Sequence, residues 1–149
     1  MLTIFLHGTC VALKPPGRSW RAVLLRGAPG AGKSDLALRL IDAGGRLVAD
    51  DQTRITRRGA GLVATPPATL AGLMEVRGLG IVRLGRGQIL AKAPLALLVD
   101  LVERAAIERL PDPEHETLLD VVMPRLALAP FEASAAAKLR LALAQSTAA

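Results

Sequence analysis

Eight consecutive residues carry the clearest chemical signal of this sequence. The glycine-rich loop Gly27-Ala28-Pro29-Gly30-Ala31-Gly32-Lys33-Ser34 matches the phosphate-binding pattern G-x-x-x-x-G-K-[ST] at every fixed position. Glycines let a backbone wrap closely around a phosphate chain, and N–H groups at a helix N-terminus attract its negative charge. In this pattern Lys33 reaches the β- and γ-phosphates and the Ser34 hydroxyl ligates Mg²⁺. The loop therefore predicts a nucleoside triphosphate site.

Two adjacent carboxylates form a second candidate group. Asp50 and Asp51 directly follow residues 46–49, which we expect to be a buried strand after the helix that the glycine-rich loop opens. Beside a Mg²⁺–triphosphate, one of the two can hold the metal through water while the other accepts a proton from an attacking hydroxyl. Asp50, which is nearer the buried strand, is the better candidate for holding the metal's water shell. An isolated Asp-Asp pair more often caps a turn, but the short distance from the loop favours a functional role. The Asn-Lys-x-Asp motif that guanine-specific hydrolases need is absent from the sequence.

The remaining polar candidates are weaker. His7 and His115 are the two histidines of the chain, and each taken alone is more typical of a structural or exposed position. Glu75 lies close to the glycines of the segment 74–81, where an acid can ligate a metal. The same segment is also typical of a β-bulge. From the residues alone, both interpretations of Glu75 stay open.

Hydrophobic patterning and turn residues indicate which elements position these groups. Strands are predicted at 2–6, 9–13, 20–26, 46–49, 53–57, 62–65 and 95–101. Helices are predicted from Lys33 to Gly44-Gly45, over about 102–110, and from Pro130 to about 145, the last with Phe131, Ala135, Leu139 and Leu143 on its apolar face. The stretch 111–117 is expected to be a loop, and 118–128 is ambiguous between strand and loop. A strand before the glycine-rich loop and a helix after it disfavour a chance match.

Composition limits the broad class of the protein. The chain has 149 residues, of which 51% are apolar, and this suits one folded domain with a core. No apolar run approaches the ~20 residues of a membrane-spanning helix and the N-terminus lacks signal-peptide features, so we expect a cytoplasmic protein without a membrane partner. The net charge of +6 could attract an acidic partner, but two Phe, one Trp and no Tyr argue against nucleic acid. The single cysteine, Cys10, is expected to be buried on a strand.

Four segments, in order over residues 5–110, together resemble the catalytic domain of bacterial HPr kinase/phosphorylase. They are His7-Gly8, the glycine-rich loop with residues 34–38, Gly45-Arg46-Leu47-Val48-Ala49-Asp50-Asp51, and Glu75-Val76-Arg77-Gly78-Leu79-Gly80-Ile81. The resemblance implies one domain over residues 1–149, an α/β P-loop kinase domain with a β-rich second half, similar to PEP carboxykinase. It implies an ATP- and Mg²⁺-dependent serine kinase acting on HPr or an HPr-like phosphocarrier protein, able in the family to reverse the reaction by phosphorolysis, and assembled as a homo-hexamer.

The resemblance also implies roles for single residues. Asp51 matches the catalytic aspartate, which accepts the proton during kinase action and donates it during the reverse attack by phosphate. Ser34 and Glu75 match the Mg²⁺ ligands. His7 and Lys33 match further active-site positions, and Arg109 is the best match for an arginine in the loop after the later strand.

The chain departs from the family pattern in several places. Asp35 stands where the family usually has Glu, the loop 14–19 is longer, and residues 124–131 lack the Arg-Pro-Gly-Arg-Asn-like segment associated with dephosphorylation. The family's N-terminal domain has no counterpart before His7. Two alternatives remain: a small-metabolite kinase of the shikimate-kinase type, which should show a D-x-D pattern, and a non-enzymatic nucleotide-binding regulator.

Overall fold

A computed structural model describes residues 2–146 of the chain. Within this range it contains two α-helices, α1 (Lys33–Asp42) and α2 (Ala135–Gln145), and eleven strands. The strands are β1 (Thr3–His7), β2 (Thr9–Leu13), β3 (Arg21–Arg26), β4 (Arg46–Ala49), β5 (Gln52–Arg58), β6 (Gly61–Thr65), β7 (Leu73–Val76), β8 (Gly80–Arg83), β9 (Ala93–Leu101), β10 (Glu114–Leu118) and β11 (Val121–Leu128). No helix among the described residues is long and apolar enough to cross a membrane.

Nine of these strands form one mixed sheet in the order β1-β5-β6-β9-β3-β2-β4, with β10 and β11 attached beside β9. Strand β9 runs parallel to β3 along one edge, and along the other edge it pairs first with β6 and then, in parallel, with β11. Strands β7 and β8 form a separate antiparallel hairpin. The carboxyl ends of β3, β9 and β11 therefore lie together at one edge, where open α/β sheets place ligands.

Side-chain alternation on the central strands divides the core into two layers. On β2 and β3, one set of alternate residues packs beneath α1 and α2, and the other packs beneath β5 and β6. Cys10 belongs to the second layer and is fully buried, as its sequence context predicts. The sheet-rich α/β fold expected from the sequence is confirmed.

Helix α1 ends where its glycine pair predicts. Gly44 has φ 103, and its N–H bonds the Ile41 carbonyl while the Gly45 N–H bonds the Leu40 carbonyl at 2.8 Å. These two hydrogen bonds satisfy carbonyl groups in the last turn of the helix. A Cβ on Gly45 would lie 2.8 Å from the Leu40 oxygen, so the turn into β4 has room only for glycine. The strand carrying the two aspartates at its end thus starts from a fixed point.

The predictions for the later part of the chain are partly wrong. Residues 102–110 hold only a short 3₁₀ turn, Arg104–Ala106, because most of their side chains are exposed and no core is present to stabilise a helical face. The expected loop 111–117 contains most of β10, which pairs with β11. Helix α2 begins at Ala135, so Phe131 lies before the helix and not on its apolar face.

Candidate active site

The glycine-rich loop joins β3 to α1. Gly30 and Gly32 have φ 82 and 99, in the left-handed region that favours glycine. The Lys33 ammonium lies within the curve of the loop, where it donates to the carbonyls of Gly27 (2.6 Å) and Ala28 (3.1 Å). Gly32 precedes the helix and offers no side chain to cap its first N–H groups. Those N–H groups and the lysine make the start of α1 attractive to an anion.

An open pocket of about 700 Å³ lies between this loop and the β7–β8 hairpin. Its walls bring together four residues that the sequence analysis singles out, namely Lys33, Ser34, Asp51 and Glu75. Asp51 follows the end of β4 and Glu75 lies on β7, so three separate parts of the chain meet here. Arg77 and Asp35 also line the pocket, which therefore has two cations, one hydroxyl and three carboxylates on its walls. Such a set of groups can hold a phosphate chain with a divalent cation.

The backbone of Asp51 is fixed in an uncommon conformation. Its φ is 63, which an aspartate tolerates better than most residues but still at some cost. The Asp51 carbonyl accepts a bond from Gly8 N (2.9 Å), and its N–H donates to the Thr9 hydroxyl (3.3 Å). A Cβ on Gly8 would lie 2.8 Å from the Leu25 oxygen, so this contact requires glycine. Contacts of the Asp51 backbone with Gly8 and with the Thr9 hydroxyl thereby hold this residue, with its exposed carboxylate, at the pocket wall.

Asp50 has a different neighbourhood from the one expected. One carboxylate oxygen accepts from the Thr9 hydroxyl (3.1 Å) and the other accepts from the backbone N–H of Glu75 (2.9 Å). Asp50 is not among the residues that line the pocket. Its predicted role in holding Mg²⁺ through water stays a prediction. The contacts make Asp50 a positioning residue that ties β7, and so Glu75, to the start of β2.

Two further predicted residues lie outside the pocket walls. His7 is the last residue of β1, opposite Gln52, and is exposed. Arg109 is exposed in the segment between β9 and β10. The structure brings neither of them to the group formed by the glycine-rich loop, Asp51 and Glu75, and their catalytic roles stay predictions.

A magnesium ion suits the donors that do line the pocket. Among residues 2–146 no cluster of three or more His, Cys, Asp or Glu side chains could enclose a metal. Mg²⁺, however, usually takes one or two protein carboxylates and completes its shell with waters and substrate phosphates. The Ser34 hydroxyl and the Glu75 carboxylate are oxygen donors of that kind, on facing walls of the pocket.

Sequence patterns missed an ion-pair network at the base of the loop. Arg26, the residue before Gly27, bonds both oxygens of Asp100 (2.9 and 3.2 Å) and both of Glu116 (2.8 and 2.9 Å). Arg125 also contacts Glu116 at 3.3 Å. The hydrogen bonds that Arg26 donates to Glu116 raise the pKa of Arg26 and lower the pKa of Glu116. Arg26 and Asp100 lie on neighbouring parallel strands, in register with each other. Glu116 lies on β10, and the sequence pattern did not predict the β10–β11 hairpin that brings it to Arg26.

Known proteins resemble this chain along most of its described length. The family model described as HPr Serine kinase C-terminal domain matches residues 3–144. The HPr kinase/phosphorylase of Geobacillus thermodenitrificans is 33% identical over 139 residues, covering 85% of this chain and 42% of that protein. The HPr kinase/phosphorylase of Limosilactobacillus reuteri is 35% identical over 132 residues, covering 83% and 40%. The chain thus spans about two fifths of the length of these curated relatives.

A solved structure shows the same fold. The Hpr(Ser) kinase/phosphatase from Coxiella burnetii superposes with a TM-score of 0.78 at 21% sequence identity. The match covers 93% of this chain and 92% of that chain. At this level of identity the likeness concerns the arrangement of the sheet and helices.

Proposed function

The chain belongs to the HPr serine kinase C-terminal domain family, and we propose that it transfers the γ-phosphoryl group of ATP to a serine hydroxyl of an HPr-like phosphocarrier protein. The observation that carries this proposal is the pocket in which the glycine-rich loop faces Asp51 and Glu75. Phosphoryl transfer depends on positioning and on compensating the charge of the phosphates, and these residues supply both.

The glycine-rich loop is the proposed P-loop of this site. Its left-handed glycines at 30 and 32 line the pocket together with the first residues of α1, and a helix N-terminus attracts phosphate. The Lys33 ammonium exchanges its bonds to the carbonyls of Gly27 and Ala28 for bonds to phosphate oxygens. Ser34 and Glu75 would hold Mg²⁺, and the ion, when bound, would supply positive charge against the phosphates.

Asp51 is the proposed general base. Its carboxylate is exposed to the pocket, while its backbone is fixed through Gly8 and Thr9. An incoming serine hydroxyl donates its proton to this carboxylate as its oxygen attacks the γ-phosphorus. The bond from the γ-phosphorus to the β–γ bridging oxygen breaks at the same time, and ADP leaves. Asp50 acts indirectly, because its bond to the Glu75 N–H fixes the strand that carries the second carboxylate of the pocket.

The forward direction is proposed to predominate. The family segment associated with dephosphorylation is missing at residues 124–131, which here form the end of β11 and the approach to α2. The hexamer, the cytoplasmic location and the likeness to PEP carboxykinase stay predictions.

The alternatives differ in what they require of the site. A shikimate-type kinase should carry acids in a D-x-D pattern, whereas here the two acids are adjacent and only Asp51 lines the pocket. A nucleotide-binding regulator would bind ATP without transferring phosphate. The presence of an exposed acid beside the loop lysine favours the enzyme.

One experiment separates these possibilities. The protein is incubated with Mg²⁺–ATP and the HPr-like protein of the same organism, and mass spectrometry locates any phosphate on the partner. We expect one phosphoserine from the parent, and a rate about 10²–10⁴ times lower from Asp51→Asn, which keeps the shape of the side chain but cannot accept the proton. Asp120→Asn, at an exposed turn away from the pocket, is the matched control. ATP binding without any phosphoserine would favour the regulator.

A further inference from the structure

An aromatic ring packs against the glycine-rich loop at Gly32, the residue before α1. A Cβ on Gly32 would lie 2.9 Å from Cζ and 3.2 Å from Cε1 of Phe131, so the ring packs directly against the loop backbone. The same side chain is 71% exposed and lines the pocket. One surface of the ring is therefore supported by the loop, and the remainder is available to a ligand.

The backbone on both sides of Phe131 is held in place. Arg39 of α1 donates to the Pro130 carbonyl and also pairs with Asp35 at 3.0 Å. After the ring, Glu132 pairs with Lys138 at 3.3 Å and with Arg104 at 3.5 Å. The ring is thus presented at a defined position relative to the start of α1. A pre-positioned side chain loses less conformational entropy when a ligand binds.

Phe131 is the one aromatic side chain among the described residues that line the pocket. The other aromatic residues are placed elsewhere: the Arg46 guanidinium covers the Trp20 ring at 4.8 Å, and Phe5 lies on β1 opposite Arg54. Leu38 of α1 adds apolar surface to the same pocket. The pocket therefore combines charged and hydroxyl groups near the loop with an apolar, partly aromatic wall.

We propose that the Phe131 ring is the surface on which the nucleobase of the bound nucleotide stacks. The inference rests on the nucleotide site proposed above and assigns the two ends of the ligand to different parts of the chain: phosphates to the glycine-rich loop, base to Phe131. Stacking on an aromatic ring accepts every base, because each has a π face. The ring therefore raises affinity for nucleotides over inorganic polyphosphate without selecting adenine over guanine.

Calorimetric titration with three ligands tests this assignment. Mg²⁺–ATP, Mg²⁺–GTP and Mg²⁺–tripolyphosphate are titrated into the parent protein, Phe131→Ala, Phe131→Leu and Phe131→Tyr. Alanine and leucine should weaken ATP and GTP about tenfold and leave tripolyphosphate unchanged, while tyrosine should bind all three like the parent. Leucine keeps apolar contact with Gly32 but lacks an aromatic face. Phe5→Ala removes the other phenylalanine of the chain, outside the pocket, and should change none of the affinities.

The outcomes distinguish this inference from the proposed function. Unchanged ATP affinity in Phe131→Ala overturns base stacking, although tripolyphosphate binding by the parent would still support the phosphate site. An equal loss of ATP and tripolyphosphate affinity also overturns it, because the ring then acts by supporting the loop at Gly32. A parent protein that binds neither nucleotide nor tripolyphosphate would overturn both proposals.

Discussion

Replacing Asp50 tests whether this carboxylate holds the site together or holds a metal. Asp50→Ala removes the acceptor for two hydrogen bonds, one from the buried Thr9 hydroxyl and one from the exposed Glu75 N–H. A hydrogen bond to a charged group contributes about 1.5–3 kcal/mol. Since the second bond is exposed to solvent, we expect a total loss of about 2–3 kcal/mol in the free energy of unfolding. For a chain of this size that lowers Tm by roughly 6–12 °C.

The asparagine variant separates the two roles. Asp50→Asn can still accept from the Glu75 N–H through its amide oxygen, and its amide NH₂ can donate to the Thr9 hydroxyl. We therefore expect a loss of only about 1 kcal/mol, from the weaker bonds of a neutral group. Mg²⁺ titration of ATP binding should follow the same order, with alanine impaired and asparagine close to the parent.

The assays are urea denaturation for stability and calorimetric Mg²⁺–ATP titration for the site. Thr9→Val completes a double-mutant cycle, because it removes the same hydroxyl bond from the other side, together with the bond that this hydroxyl accepts from the Asp51 N–H. The losses in the free energy of unfolding of Thr9→Val and Asp50→Ala, added together, should exceed the loss in the double variant, because the two residues share one hydrogen bond. Equal loss of Mg²⁺ dependence in Asp50→Asn and Asp50→Ala, with stability unchanged in both, would refute the positioning role and restore Asp50 as a metal group.

Three other expectations follow from the same structure. Lys33→Ala should abolish ATP and tripolyphosphate binding in calorimetry while Tm stays near that of the parent, because the ammonium bonds only exposed loop carbonyls. The lowered pKa of Glu116 gives stability that is present above its ordinary value of 4.5 and lost as pH falls through the lower folded-state value. Below pH 4.5, the urea denaturation midpoint of Glu116→Gln should therefore fall less steeply with decreasing pH than that of the parent. The same slope in both proteins would refute this. Pyrophosphate release from the phosphorylated partner with added phosphate should be slower than kinase action, given the departure at 124–131.

Local signals predicted the first part of the fold well. The bounds of β2 and β4 match the sequence predictions, because each is a short apolar run between turn residues. The start of α1 at Lys33 and its end before Gly44 also follow from adjacent residues. Residues 102–120 resisted prediction because their conformation depends on distant contacts. Strand β10 is held by pairing with β11, and its Glu116 by Arg26.

In the candidate site, too, the features set by neighbouring residues could be predicted, whereas those set by contacts with distant residues could not. The motif predicts the start of α1 at Lys33 because the loop and the helix start are encoded in eight neighbouring residues. The roles of Lys33 and Ser34 toward phosphate and Mg²⁺ stay predictions. The different surroundings of Asp50 and Asp51 could not be predicted from local patterns, since they depend on residues that are distant in the sequence. Their surroundings come from Thr9, which bonds the side chain of one and the backbone of the other.

The turn between β1 and β2 therefore acts as the reference point of the pocket. Gly8 bonds the carbonyl of Asp51, Thr9 bonds both aspartates, and Asp50 in turn bonds the backbone of Glu75. This series of contacts places two carboxylates, from separate elements, opposite the glycine-rich loop without using either carboxylate in the structure itself. Because Gly8 has no space for a Cβ and Thr9 is buried, a change at either residue would move the acid proposed to accept the proton. The His-Gly segment before β2 thus matters to the site through its glycine, whatever the role of the histidine.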